Sequence, residues 1–172
     1  QCGSRGLGDV YKRQWLGYAA FDNADPAMAE PGSSKTRFGS QSLDQLAERL
    51  NSTSDPRKRY EYVLWLAKKL PSMPTELQTD ERKVKGCVSQ VFIASELVNG
   101  RLQWQGDSDA LITKGLLALL IKGLGDLTPA QVMAVDPGFI AATGLQASLT
   151  PSRANGFLNI LRMMQQQASA LN

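Results

Sequence analysis

Gln90-Val91-Phe92-Ile93-Ala94-Ser95-Glu96-Leu97-Val98-Asn99-Gly100-Arg101-Leu102-Gln103-Trp104-Gln105 is the stretch on which the fold turns. Residues 90–98 are rich in β-branched and aromatic side chains. Asn99-Gly100 supplies the pair that tolerates the two positive φ angles of a type I′ turn. Arg101 to Gln105 returns as the partner strand, with Leu102 and Trp104 alternating against polar neighbours. The spacing predicts an antiparallel hairpin, and Val84-Lys85 offers a short strand upstream, for a sheet of about three strands.

Helices flank this hairpin on both sides. Leu43, Leu46, Ala47 and Leu50 recur at helical spacing from Ser42 onward. Asp55-Pro56 is a helix start, a capping side chain followed by proline at the first helical position. That helix carries Tyr60, Val63, Leu64, Ala67 and Leu70 on one face and ends at Pro71; residues 71–80 read as an irregular connection. Downstream, Ser108 is the expected N-cap of a helix from about Ala110 to Lys122, with Asp109 in its first turn. Its run from Leu116 to Ile121 is apolar on most faces, marking it as the central buried helix. Thr128-Pro129, Asp136-Pro137 and Thr150-Pro151 each open a further helix. The last presents Ala154, Phe157, Leu158, Leu161 and Met164. Helices, then a small antiparallel sheet, then helices predict a single α+β domain over 41–172 with helices on one sheet face.

Residues 1–40, rich in Gly, Ser, Ala, Asp and Pro without a sustained period, read as disordered. Residues 1–14 resemble translated adapter sequence from a sequencing assembly and are set aside, Cys2 with them. No secretory signal is read at the N-terminus, and no apolar run approaches the ~20 residues that cross a bilayer. The formal net charge of +3 on 172 residues gives no basic face for tracking phosphates, so neither nucleic acid nor membrane is an expected partner. The chain has two cysteines and no histidine. Ser-His and Cys-His dyads, His-ligated metals and a four-cysteine zinc site are thereby excluded. A reduced, cytoplasmic setting is expected for the cysteines.

Cys87 therefore becomes the candidate reactive group, in Lys85-Gly86-Cys87-Val88-Ser89-Gln90-Val91 between two strand candidates. Cysteine is often buried and inert, but a loop after glycine lets a thiol reach outward. Arg82, Lys83 and Lys85 lie just upstream; they either favour the thiolate or form a solvated face. A dithiol oxidoreductase needs a resolving thiol, and a cysteine hydrolase needs a base. One thiol suffices to accept a sulfur atom and pass it on, by the displacement chemistry of thiol–disulfide exchange.

From about Leu43 to the C-terminus the chain resembles the SufE/CsdE family of sulfur acceptors. The resemblance rests on Gly86-Cys87-Val88-Ser89-Gln90-Val91, on Gly106-Asp107-Ser108-Asp109-Ala110 with Thr113-Lys114-Gly115-Leu116, and on Leu149-Thr150-Pro151-Ser152-Arg153 with Asn155-Gly156-Phe157. Val88 and Phe92 stand where many members carry Gln and Trp. The resemblance implies a fold shared with IscU-type scaffolds, and persulfide sulfur taken onto Cys87 from a SufS-type cysteine desulfurase that the acceptor stimulates. Sulfur would then pass to a SufB-containing scaffold complex for iron–sulfur cluster assembly. No cofactor or metal is expected on this chain; pyridoxal phosphate belongs to the desulfurase. A CsdA-type desulfurase is the alternative donor, a second copy of the chain an optional partner, and a non-covalent regulatory module the rival reading. A cluster scaffold is disfavoured because only Cys87 is a credible ligand. Gly86, Ser89, Gln90, Asp107, Ser108, Asp109 and Arg153 are the supporting candidates for shaping the loop, contacting the partner or neutralising the sulfur anion.

Overall fold

Asn99 and Gly100 adopt φ of 52° and 77°, the left-handed pair that a type I′ turn demands. The computed structural model describes residues 36–172; the reading of residues 1–14 and of Cys2, and the disorder read over 1–40 as far as residue 35, lie outside them. Chain order is α1 (Gln41–Asn51), α2 (Pro56–Lys69), β1 (Val91–Val98), β2 (Arg101–Ser108), α3 (Leu111–Leu124), α4 (Pro129–Met133), α5 (Gly138–Ala142) and α6 (Pro151–Ala170), with short 3₁₀ turns at Thr75–Leu77, Asp80–Arg82 and Leu145–Ser148. The architecture is α+β. Phe38, just ahead of α1, is buried and meets Phe139 edge to face at 5.8 Å.

Two of the four proline-led starts form for the reasons read from sequence, whereas Thr150 precedes Pro151 without a side-chain cap and Pro137 itself takes the N-cap position before Gly138. Asp55 accepts from the Arg57 amide at 3.0 Å ahead of Pro56. Thr128 and Gln131 make a reciprocal capping box around Pro129. Ser108 does not cap α3. Ala110 takes that position without a side-chain cap, and Ser108 Oγ instead accepts from the Ala110 amide at 3.3 Å in the connecting turn. Asp109 accordingly precedes the helix rather than lying in its first turn.

The sheet is two-stranded and antiparallel, Val91 opposite Ser108 and Val98 opposite Arg101. At the expected third strand the chain makes only an isolated bridge, Lys83 with Phe92. Val84 donates to the Val91 carbonyl at 2.8 Å, and the chain then turns away before a ladder can form. Strand alternation splits the sheet's two faces. Ile93, Leu102 and Trp104 face a core built on α3 and α6. Phe92 and Ala94 point the other way, against Met73 and Leu77 of the 71–80 connection. Helices thus cover one face, as expected, while an irregular segment covers part of the other.

Helix α3 is the centre of the molecule: Leu116, Leu117, Leu119 and Leu120 are essentially inaccessible. Each such leucine contributes roughly 1.5–3 kcal/mol over an exposed one. Trp104 Nε1 donates to the Leu124 carbonyl at 3.2 Å, satisfying an orphan acceptor at the end of α3. Strand β2 is thereby tied to the helix that follows it.

Candidate functional site

The Val84–Val91 bond pinches off residues 85–90 as a closed excursion from the sheet, with Cys87 near its tip. Gly86 sits at φ +79°, a left-handed conformation that costs any residue with a Cβ. At the far end, Gln90 and Asp109 bond reciprocally: the Gln90 amide donates to Asp109 Oδ1 at 2.9 Å, and the Asp109 amide donates to the Gln90 carbonyl at 3.2 Å. Thr113 Oγ1 of α3 donates to Ser89 Oγ at 3.4 Å. On the opposite wall, Asn159 of α6 donates to the Gly86 carbonyl at 3.2 Å. The Cys87 thiol itself lies 3.7 Å from the Gly156 carbonyl.

These contacts leave Cys87 partly buried, opening into a cleft of about 190 Å³ shared with Val88, Ser89, Thr113, Thr150, Ser152, Arg153 and Gly156. Val88, beside the thiol, is 89% exposed. Burial pushes the Cys87 thiol above its ordinary value, because desolvation disfavours the thiolate. The upstream cations do not reverse this. Arg82 turns its guanidinium to the Leu77 carbonyl at 3.3 Å. Adjacency in sequence did not bring its charge to the sulfur.

Of the predicted supporting residues, the structure brings Gly86, Ser89 and Arg153 to the thiol. Gln90 and Asp109 fix the loop's far end, Gln90 through its backbone rather than its amide side chain. Asp107 and Ser108 border a separate hollow with Gln78, Gln90, Phe92 and Asp109. Asp107 is a clamp there: Oδ2 accepts from the Met73 amide at 3.0 Å, and Oδ1 accepts from the Ser108 amide at 2.8 Å and pairs with Lys114 at 3.1 Å. Sequence reasoning quoted Thr113, Thr150, Ser152 and Gly156 within motifs without assigning them to the cleft, and passed over Asn159. Helical spacing carried the available signal, since Arg153, Gly156 and Asn159 follow at steps of three. Among the described residues, no cluster of His, Cys, Asp and Glu could hold a metal ion. No described helix is long and apolar enough to cross a membrane.

The family model described as "SufE: Fe-S metabolism associated domain" matches residues 44–168. The chain belongs to the SufE family. It is 55% identical over 128 residues to an uncharacterized SufE-like protein of Synechocystis sp., spanning 74% of this chain and 80% of that one. The cysteine desulfuration protein SufE of Plasmodium vivax is 39% identical over 116 residues, 65% of this chain and 46% of that longer protein. A solution structure of a hypothetical protein from Thermus thermophilus superposes with a TM-score of 0.67 at 26% identity, covering 76% of this chain and 96% of the other. The SufE family supports a sulfur-acceptor role in iron–sulfur metabolism, and with it a cysteine desulfurase as partner in general.

Proposed function

We propose that this SufE protein carries sulfur on Cys87, taking it from a SufS-type cysteine desulfurase, stimulating that enzyme, and delivering it to a SufB-containing scaffold complex in the cytoplasm. The supporting observation is the Cys87 thiol at the mouth of a cleft walled by Ser89, Thr113, Arg153 and Gly156, in a SufE-family chain. The chemistry asks little else of the acceptor. The Cys87 thiol loses its proton to solvent, and its thiolate attacks the terminal sulfur of the donor's cysteine persulfide. The donor's S–S bond breaks, a new S–S bond forms to Sγ, and the donor departs as thiolate with no net redox change. Neither metal nor general base is required of this chain, and pyridoxal phosphate serves on the desulfurase.

Gly86, Ser89 and Gln90 shape the loop in this reading, Asp109 ties its far end, Asp107 and Ser108 brace the neighbouring end of β2, and Arg153 offers its charge to the sulfur anion. The deciding experiment incubates the protein with a SufS-type desulfurase and cysteine and weighs it intact. Cys87 gains the mass of one sulfur atom, and Cys87→Ala abolishes both the gain and the stimulation. A Cys87→Ala protein that stimulates fully would remove the carrier reading and leave a non-covalent regulatory module. A CsdA-type desulfurase in parallel identifies the preferred donor.

A further inference from the structure

The loop meets α6 at positions one turn apart on the same helix. Gly156 leaves the slot for the sulfur: a Cβ built there would stand 3.4 Å from Cys87 Sγ. Asn159, three residues on, grips the backbone through its bond to the Gly86 carbonyl. The fit is close, since a Cβ on Gly86 would come within 2.8 Å of Asn159 Nδ2. Besides the long 3.7 Å contact of the thiol with the Gly156 carbonyl, this hydrogen bond is what joins the loop tip to α6.

We propose that Asn159 is the positioning residue of the Cys87 loop: its carboxamide holds the tip against α6 and so sets the fraction of time the thiol is reachable. Asn159 touches no reacting atom. It acts through the Gly86 carbonyl, and its value to sulfur transfer rests on the carrier reading above. Docking to a desulfurase needs the open tip, so the latch lowers apparent affinity by the open fraction without changing the chemistry once docked.

The test compares Asn159→Ala and the near-isosteric Asn159→Asp, which keeps the shape but loses the donor. Iodoacetamide alkylation of Cys87 in the isolated native protein is read first. Both variants are expected to react about 5-fold faster than the parent, the equivalent of one net hydrogen bond, with melting temperature shifted by no more than a few degrees. With a SufS-type desulfurase, the half-saturating concentration of each variant falls by a similar factor at an unchanged maximal rate, a split that a merely structural role would not give. Alkylation within about 1.5-fold of the parent, or an Asn159→Asp variant as slow as the parent, overturns the proposal, since losing one net hydrogen bond must show as a larger change. Faster alkylation in a protein that never takes up sulfur would refute the carrier reading and leave the latch standing.

Discussion

Asp107→Ala separates two roles that the Gly106-Asp107-Ser108-Asp109 motif could serve, partner contact or internal clamp. The carboxylate accepts two backbone amides, those of Met73 at 3.0 Å and Ser108 at 2.8 Å, and pairs with Lys114 at 3.1 Å. The pair is shielded but not dry, with side-chain exposures of 17% and 16%. Hydrogen bonds to a charged group contribute about 1.5–3 kcal/mol. An ion pair at this depth falls between the ~0–1 kcal/mol of a surface pair and the ~3–5 kcal/mol lost on breaking a buried one. Truncation also frees the Met73–Arg82 connection from β2, uncovering Phe92 and Ala94. Together these give a loss of about 2–4 kcal/mol, or a melting temperature lower by roughly 10 °C. Asp107→Asn, which keeps an acceptor but strands Lys114, falls about halfway. Urea unfolding followed by tryptophan fluorescence reads the change as a shift in midpoint at constant m-value. Well below its melting temperature, Asp107→Ala should still take up sulfur at Cys87. A variant as stable as the parent but unable to accept sulfur would refute the clamp and make Asp107 a docking residue.

Gly115→Ala in α3 should lower stability by about 2–3 kcal/mol in thermal unfolding. Its Cβ would strike the Val63 carbonyl oxygen and come within 2.6 Å of Val63 Cγ1, a clash between α2 and α3 that the ~1 kcal/mol gain in helix propensity cannot offset. The buried thiol predicts a pH effect. Burial raises the Cys87 pKa above the ordinary thiol value in the folded chain, so on raising the pH the unfolded chain loses this proton first. The stability contributed by the neutral thiol is complete below the ordinary thiol pKa and lost as pH climbs through the raised value. Urea midpoints between about pH 8 and 10 should therefore fall more steeply for the parent than for Cys87→Ser; equal slopes would show that the thiol is not desolvated.

The features legible in the sequence were those fixed by local chemistry. Asn99-Gly100 set the turn and therefore the register of β1 on β2, and Asp55-Pro56 and Thr128-Pro129 placed helix starts through caps that need only neighbouring residues. Cys87 stood out because the composition removed its competitors. Contacts set by chain-distant packing were harder to read. The 71–80 connection has no period to betray that Met73 and Leu77 cover the second sheet face. Phe92 gave no sign of which side it would take. Arg82 lies close to Cys87 in sequence, yet its guanidinium turns to the Leu77 carbonyl. Asn159 lies far along the chain from Gly86, and only the packing of α6 beside the loop unites them. Asp107 and Asp109 share one motif, but Asp107 lies within β2 and Asp109 just beyond its end, so one clamps the connection while the other ties the loop.

That division of labour bears on the acceptor role proposed for a half-buried thiol. The base of the loop is held by bonds continuous with the sheet, Val84 to Val91 and Gln90 with Asp109. The tip is held more lightly, by Asn159 on the Gly86 carbonyl, Thr113 on Ser89 and the long thiol contact to Gly156. Releasing residues 86–89 therefore leaves the sheet ladder and the core intact. With net contributions of ~1 kcal/mol for an ordinary hydrogen bond and less for a thiol donor, opening costs on the order of 1–2 kcal/mol. The open tip would then be populated at roughly 3–20%, a reduction in apparent partner affinity of about 5- to 30-fold. In return, the resting thiol keeps its proton and is shielded from the oxidation to which exposed thiolates are prone. A partner that engages the exposed Val88 can offset that modest opening cost, because Val88 is a large apolar side chain of the tip already in solvent and its burial contributes favourably on docking.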